Sequence, residues 1–151
     1  MSKKLYRELI DELAHFYQTN PERLYDVCNF QFAGVHFSMF HGGEIDENGI
    51  LLYADCGIPP ENLKGTIFKH LMQLNFFIAN KRKANFGINL ETGHVIFMNR
   101  FELPETSIDV LINVLTEIAA YIMSTSQNLY ELASSAQNIK LQPSNQVVVT
   151  N

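Results

Sequence analysis

Five histidines and two cysteines are the side chains of this 151-residue chain best suited to metal, acid–base or nucleophilic chemistry. His36 and His41 fall on one expected strand at an odd separation, which sends their rings to opposite faces and prevents joint chelation of a metal. His36 meets Asp55 across a hairpin in one pairing register, and that contact would orient an imidazole as a general base if a nucleophile stood beside it. The sequence leaves the register open, and a surface histidine on a polar strand face is the plainer alternative. Cys56, between Asp55 and Gly57, has no basic neighbour and no helix N-terminus to favour a thiolate, so it is read as a structural thiol. Cys28 lies far from it, and neither fits a Cys-x-x-Cys or Cys/His metal spacing; buried, reduced thiols are expected. No Gly-x-Ser-x-Gly elbow, phosphate-cradling loop or dinucleotide fingerprint occurs, and Gly42-Gly43 reads as a hairpin connection. No catalytic residue, metal or cofactor is assigned, and the chain is expected not to be an enzyme.

Charge narrows the partners. Lys81, Arg82 and Lys83 form a basic run close in sequence to Phe76, Phe77 and Phe86, a combination that serves base stacking in single-strand binders. A formal net charge of −5 opposes phosphate-backbone binding, which needs a basic face to displace counterions. The run is therefore read as a solvated turn, and no nucleic-acid partner is expected. Lys3, Lys4 and Arg7 open the chain, but acidic residues follow within a few positions, so no secretory leader is expected. No uninterrupted apolar run reaches the 18 or so residues that a membrane span needs. A cytoplasmic protein without a membrane span is expected.

The elements that must position these groups follow from periodicity. Leu5, Leu9, Leu13 and Phe16 recur at helical spacing over 3–18, and Asn20-Pro21 ends that helix. Glycine-punctuated, aromatic-rich sequence then predicts strands over 25–32, 35–41 and 50–56, with Asp46-Glu47-Asn48-Gly49 as a turn. In the second strand Val35, Phe37 and Met39 share one face and His36, Ser38 and Phe40 the other. A helix is expected over 61–79, and its Phe68, Met72 and Phe76 fall outside the main stripe of Leu63, Ile67, Leu71, Leu74 and Ile78. Such a helix needs two apolar partners, of which one sheet supplies one; the other is a further helix or a second copy of the chain. Strands over 84–90 and 94–101 and a helix from Ile108 to about residue 133 complete an α+β domain. The expected order is α-β-β-β-α-β-β-α, three helices on an antiparallel sheet, with one domain at 1–135 and a mobile polar tail at 136–151.

That order carries three segments: Leu51-Leu52-Tyr53-Ala54-Asp55-Cys56-Gly57, Leu71-Met72-Gln73-Leu74-Asn75-Phe76, and Phe86-Gly87-Ile88-Asn89-Leu90-Glu91-Thr92-Gly93-His94-Val95-Ile96. Together they resemble the Tir chaperone (CesT) family of class I type III secretion chaperones, over roughly Leu5 to Met123. The chain departs from the family in having no tryptophan, with Tyr121 standing in near the end of the last helix, and in its polar C-terminal segment. The resemblance implies a bacterial cytoplasmic homodimer with the middle helix, through Phe68, Met72 and Phe76, at its interface. It implies that the partner is a secreted effector held through an extended N-terminal segment. Apolar grooves for alternate side chains and an exposed strand edge suit that task, and Leu5, Leu9, Phe16, Phe30, Phe32 and Phe40 are the residues expected to bind it. Two other classes stay open: a regulatory or adaptor module of similar fold that binds a folded partner, and a small enzyme built on His36 and Asp55.

Overall fold

The computed structural model describes residues 1–78 and 83–141, of which 136–141 are helical backbone only. Apolar residues at three- and four-residue spacing wind Ser2–Phe16 into α1, which buries Leu9, Ile10, Leu13 and Ala14. The helix stops where Gln18 takes a left-handed backbone (φ 53°) ahead of Asn20-Pro21. The expected first strand is shorter than its composition suggests, because Glu22–Tyr25 form a one-turn helix, α2. Pro21 at its N-cap is preset at φ −59°, and Asn20 Oδ1 accepts a hydrogen bond from the Glu22 amide, so local turn chemistry outweighs strand propensity.

β1 (Cys28–Phe32), β2 (Val35–His41) and β3 (Gly49–Asp55) form an antiparallel meander. α3 (Lys64–Ile78) follows and packs against the last helix and against β4 (Ala84–Ile88), which forms a hairpin with β5 (Val95–Glu102). The resulting sheet has five strands in the order β1-β2-β3-β5-β4, every pair antiparallel. A 3-10 turn, Leu103–Glu105, leads into α4 (Ile108–Leu141). The α+β class and the order of strands and long helices agree with the sequence reading; α2 and the 3-10 turn are additions to it.

β4 ends before the expected residue 90 because Asn89 Oδ1 accepts the amides of Glu91 and Thr92 and Gly93 adopts φ 75°, which turns the chain early. α4 runs past its expected end near residue 133, with Leu129 and Ala133 still buried. The rest of the expected mobile tail, 142–151, lies outside the described residues.

One face of the sheet carries the core. Phe37, Met39, Leu52, Ala54, Phe86 and Phe97 are buried there together with Ile10 and Leu13 of α1 and Leu111, Leu115, Ile118 and Ile122 of α4. Each fully buried Leu, Ile or Phe side chain contributes about 1.5–3 kcal/mol from area removed from water. Between Ile108 and Ser135, α4 is long and apolar enough to cross a bilayer, but its buried stripe belongs to this core. Tyr121 packs against Phe97 at 5.3 Å and Phe86 at 6.2 Å between ring centroids, which joins α4 to the aromatic part of the core. At the far edge, Asn75 of α3 grips Phe86 of β4. Its Nδ2 donates to the Phe86 carbonyl (2.9 Å) and its Oδ1 accepts the Phe86 amide (2.7 Å), as a neighbouring strand would.

Candidate partner-binding surfaces

The pairing register arranges the face away from the helices in rows. Gln31, His36 and Asp55 lead to Ile96 and Gly87; next come Asn29, Ser38, Tyr53, Met98 and Asn85; then Phe40, Leu51 and Arg100. No helix covers this face among the described residues, and its middle forms a concavity of about 840 Å³. Phe40 and Tyr53 make an aromatic shelf with centroids 5.3 Å apart, continued by Met98 and Ile96. The floor is low at Gly87, where an added Cβ would lie 2.7 Å from the Met98 methyl. Around the shelf the groups are mostly neutral and polar: Asn29, Gln31, Ser38, Asn89 and Thr92. Such a surface takes an apolar side chain on the shelf and offers hydrogen bonds to a peptide backbone on either side.

The expected binding residues do not all join it. Phe40 lies on the shelf. Phe30 and Phe32 face the helices, because Phe30 pairs with the buried Phe37, stacks on it at 5.7 Å and also meets Tyr17. Leu9 is only 4% exposed and belongs to the core, since the stripe of α1 is wide enough to turn it inward. Leu5 and Phe16 are exposed on α1, so the expected set is split between the helical layer and the opposite sheet face. Tyr53, Ile96 and Met98 complete the shelf; Tyr53 is visible in the sequence as an aromatic residue of an alternating strand, whereas Ile96 and Met98 join it only through the β3–β5 pairing.

The residues expected at an interface on the middle helix also differ in exposure. Met72, Phe76 and the unanticipated Phe77 are 75%, 72% and 67% exposed, whereas Phe68 is partly buried against the core with Lys64 Nζ 5.9 Å from its ring. Phe76 and Phe77 meet edge to face at 5.8 Å, so α3 presents a contiguous apolar ridge.

The chemistry-bearing residues assemble differently from expectation. The register that sets Phe37 against Ala54 brings His36 beside Asp55, but Asp55 Oδ1 is engaged by His94 Nδ1 at 2.8 Å and by the Gly57 amide at 2.7 Å. His94 therefore replaces His36 as the partner of Asp55. Burial pushes the Cys56 thiol up to about 12 and the Cys28 thiol up to about 12, which keeps both protonated and poor nucleophiles. No three His, Cys, Asp or Glu side chains converge on a metal-sized site among the described residues. Of the basic run, Lys81 and Arg82 lie outside the described residues, and Lys83 Nζ is 3.7 Å from Glu102. Nearby, Arg100 donates to Asp46 at 2.5 and 2.7 Å and to Glu102 at 2.5 Å, which holds both carboxyls below their ordinary range.

Residues 8–124 match the Tir chaperone protein (CesT) family. The chain belongs to that family. The solved ExsC–ExsE complex contains a chain of the same fold, with TM-score 0.65, 18% identity and coverage of 82% of this chain and 92% of that one. The HopA1–SchA chaperone–effector complex matches with TM-score 0.65 at 12% identity, covering 84% and 97%. The Yersinia pestis type III secretion chaperone SycH, solved with a fragment of YscM2, matches with TM-score 0.51 at 16% identity, covering 80% and 98%. No curated protein sequence matches the chain. The family match spans both α3 and the open sheet face, and stops inside α4, whose last turns extend beyond it.

Proposed function

We propose that this CesT-family protein is a type III secretion chaperone of the bacterial cytoplasm that carries out no catalysis. It holds the N-terminal segment of a secreted effector in extended form. The observation that carries the reading is the uncovered sheet face, where the Phe40–Tyr53 shelf lies beside edge strand β1. An extended segment added along an edge gains backbone hydrogen bonds, and its alternate side chains enter adjacent apolar pockets. The assembly is a homodimer on α3, because an apolar ridge of Met72, Phe76 and Phe77 is of the kind that monomeric surfaces rarely leave uncovered. Membership of a family of chaperones, together with a fold shared with chains solved in complexes with their partners, supports the same reading.

Affinity capture from the source bacterium followed by limited proteolysis and mass spectrometry tests it. The expected result is a larger secreted protein whose protected fragment lies near its own N-terminus. Phe40→Asp with Tyr53→Ser should abolish its retention while light scattering still shows a dimer; Met72→Asp with Phe76→Asp should give a monomer. A partner held through a folded domain, or undiminished retention by the Phe40/Tyr53 variant, would overturn the assignment.

A further inference from the structure

We propose that the groove between the end of α1 and the start of α4 is a second docking surface, taking a basic amphipathic segment of a partner protein. Its floor is apolar: Phe16 is 50% exposed on it, and Ile108 and Ile112 are partly buried beneath. Its volume, about 840 Å³, equals that of the open sheet face. Its rim is different in kind. Asp11 and Glu12 stand on the α1 side and Asp109 on the α4 side, all exposed.

The fold leaves two of these three carboxylates unpaired. Asp11 is the exception: it accepts the Tyr25 hydroxyl, and the Arg7 guanidinium lies 4.2 Å from the centroid of the same ring. Glu12 and Asp109 have no ion-pair partner among the described residues. Asp109 sits in the first turn of α4, where it is favourable to the helix dipole. Glu12, at the opposite end of its own helix, has no such role. His15 is the one basic side chain on the groove. The concavity on the open sheet face, by contrast, is lined by one carboxylate among the described residues, Asp55, already bonded to His94. An apolar floor under an anionic rim suits a segment that lays Leu-like side chains on Phe16 and Ile112 and sets Lys or Arg against Glu12 and Asp109. The concavity, lined by Asn29, Gln31, Ser38, Asn89 and Thr92 with its one carboxylate already bonded, offers no comparable anionic rim, so the two surfaces take different segments.

Fluorescence anisotropy with the full-length protein and a labelled Leu/Lys amphipathic peptide of about fourteen residues tests this. The wild type should bind the peptide with an affinity that falls as salt is raised. Glu12→Lys with Asp109→Lys should weaken binding at least tenfold, and Phe16→Ser should weaken it severalfold. Glu44→Lys with Glu47→Lys, the same charge change at exposed positions of the β2–β3 connection, should leave it unchanged. Phe40→Ser should also leave it unchanged while impairing effector retention, which separates this groove from the cargo face. No binding by the wild type, equal loss in the Glu44/Glu47 control, or loss on Phe40→Ser would each overturn the proposal.

Discussion

Along β4 the outward backbone of Phe86 is taken up on both its donor and its acceptor by one amide, that of Asn75, held within α3. Along β1 the corresponding cover is slight: the Tyr17 hydroxyl donates to the Gln31 carbonyl at 2.6 Å, and among the described residues no strand lies outside it. The β4 side is further tied by charge, through Lys83, Arg100 and Glu102 where the two last strands run together. A strand edge left unpaired is a template for another chain, and proteins normally cover or blunt it. One edge of this sheet is gripped at its middle by a helix side chain, while the other carries a single side-chain bond from Tyr17; the second is the edge to which the proposed function assigns the partner.

The contrast can be broken experimentally in descending order of effect. Asn75→Leu removes both bonds and strands a partly buried N–H and C=O, so unfolding free energy should drop by about 2–4 kcal/mol in urea titration, with increased light scattering from a second open edge. Tyr17→Phe removes one bond at an exposed site and should cost about 0.5–1.5 kcal/mol without scattering. A larger cost for Tyr17→Phe than for Asn75→Leu would reverse the assignment of closed and open edges.

The smallest effect separates charge from amide. Arg100 lowers the folded-state pKa of Asp46 and Glu102 below their ordinary values of 3.8 and 4.5, so the stability they supply is present above those values. It is lost as pH falls through the lowered folded values. Melting temperatures of wild type and Arg100→Met should therefore differ slightly at neutral pH and converge toward acid, while the deficit of Asn75→Leu persists across the same range. A deficit of Arg100→Met that grows toward acid would contradict this linkage.

Much of this was legible in the residues and some was not. β2 follows from strict alternation, and its two faces are those that the sequence assigns, because a two-residue period survives any choice of partner. Phe30 and Phe32 were grouped with Phe40 because all are aromatic residues on neighbouring strands; the register decides which face they share, and register is a property of the pair. The unpartnered side of α3 was visible as apolar residues outside the stripe, yet its composition did not reveal that Phe68 leans inward and Phe77 outward. Residues 25–27 look like strand and do not join it, since Asn20-Pro21 imposes a turn through contacts only two residues long. The role of Asn75 left a trace in sequence, a polar residue in an apolar helix, but its target became apparent only with β4 beside it.

Closing one edge also sets a valence. Subunits with two reactive sheet edges add to one another head to tail and grow without limit, whereas a subunit with one can only be capped or paired. By occupying the Phe86 amide and carbonyl at the middle of β4, Asn75 interrupts the ladder that a strand added on that edge would need, which biases the sheet toward one usable edge. On the proposed function, an extended segment seated on β1 would use the remaining edge, so a loaded subunit would be a poor seed for a cross-strand filament.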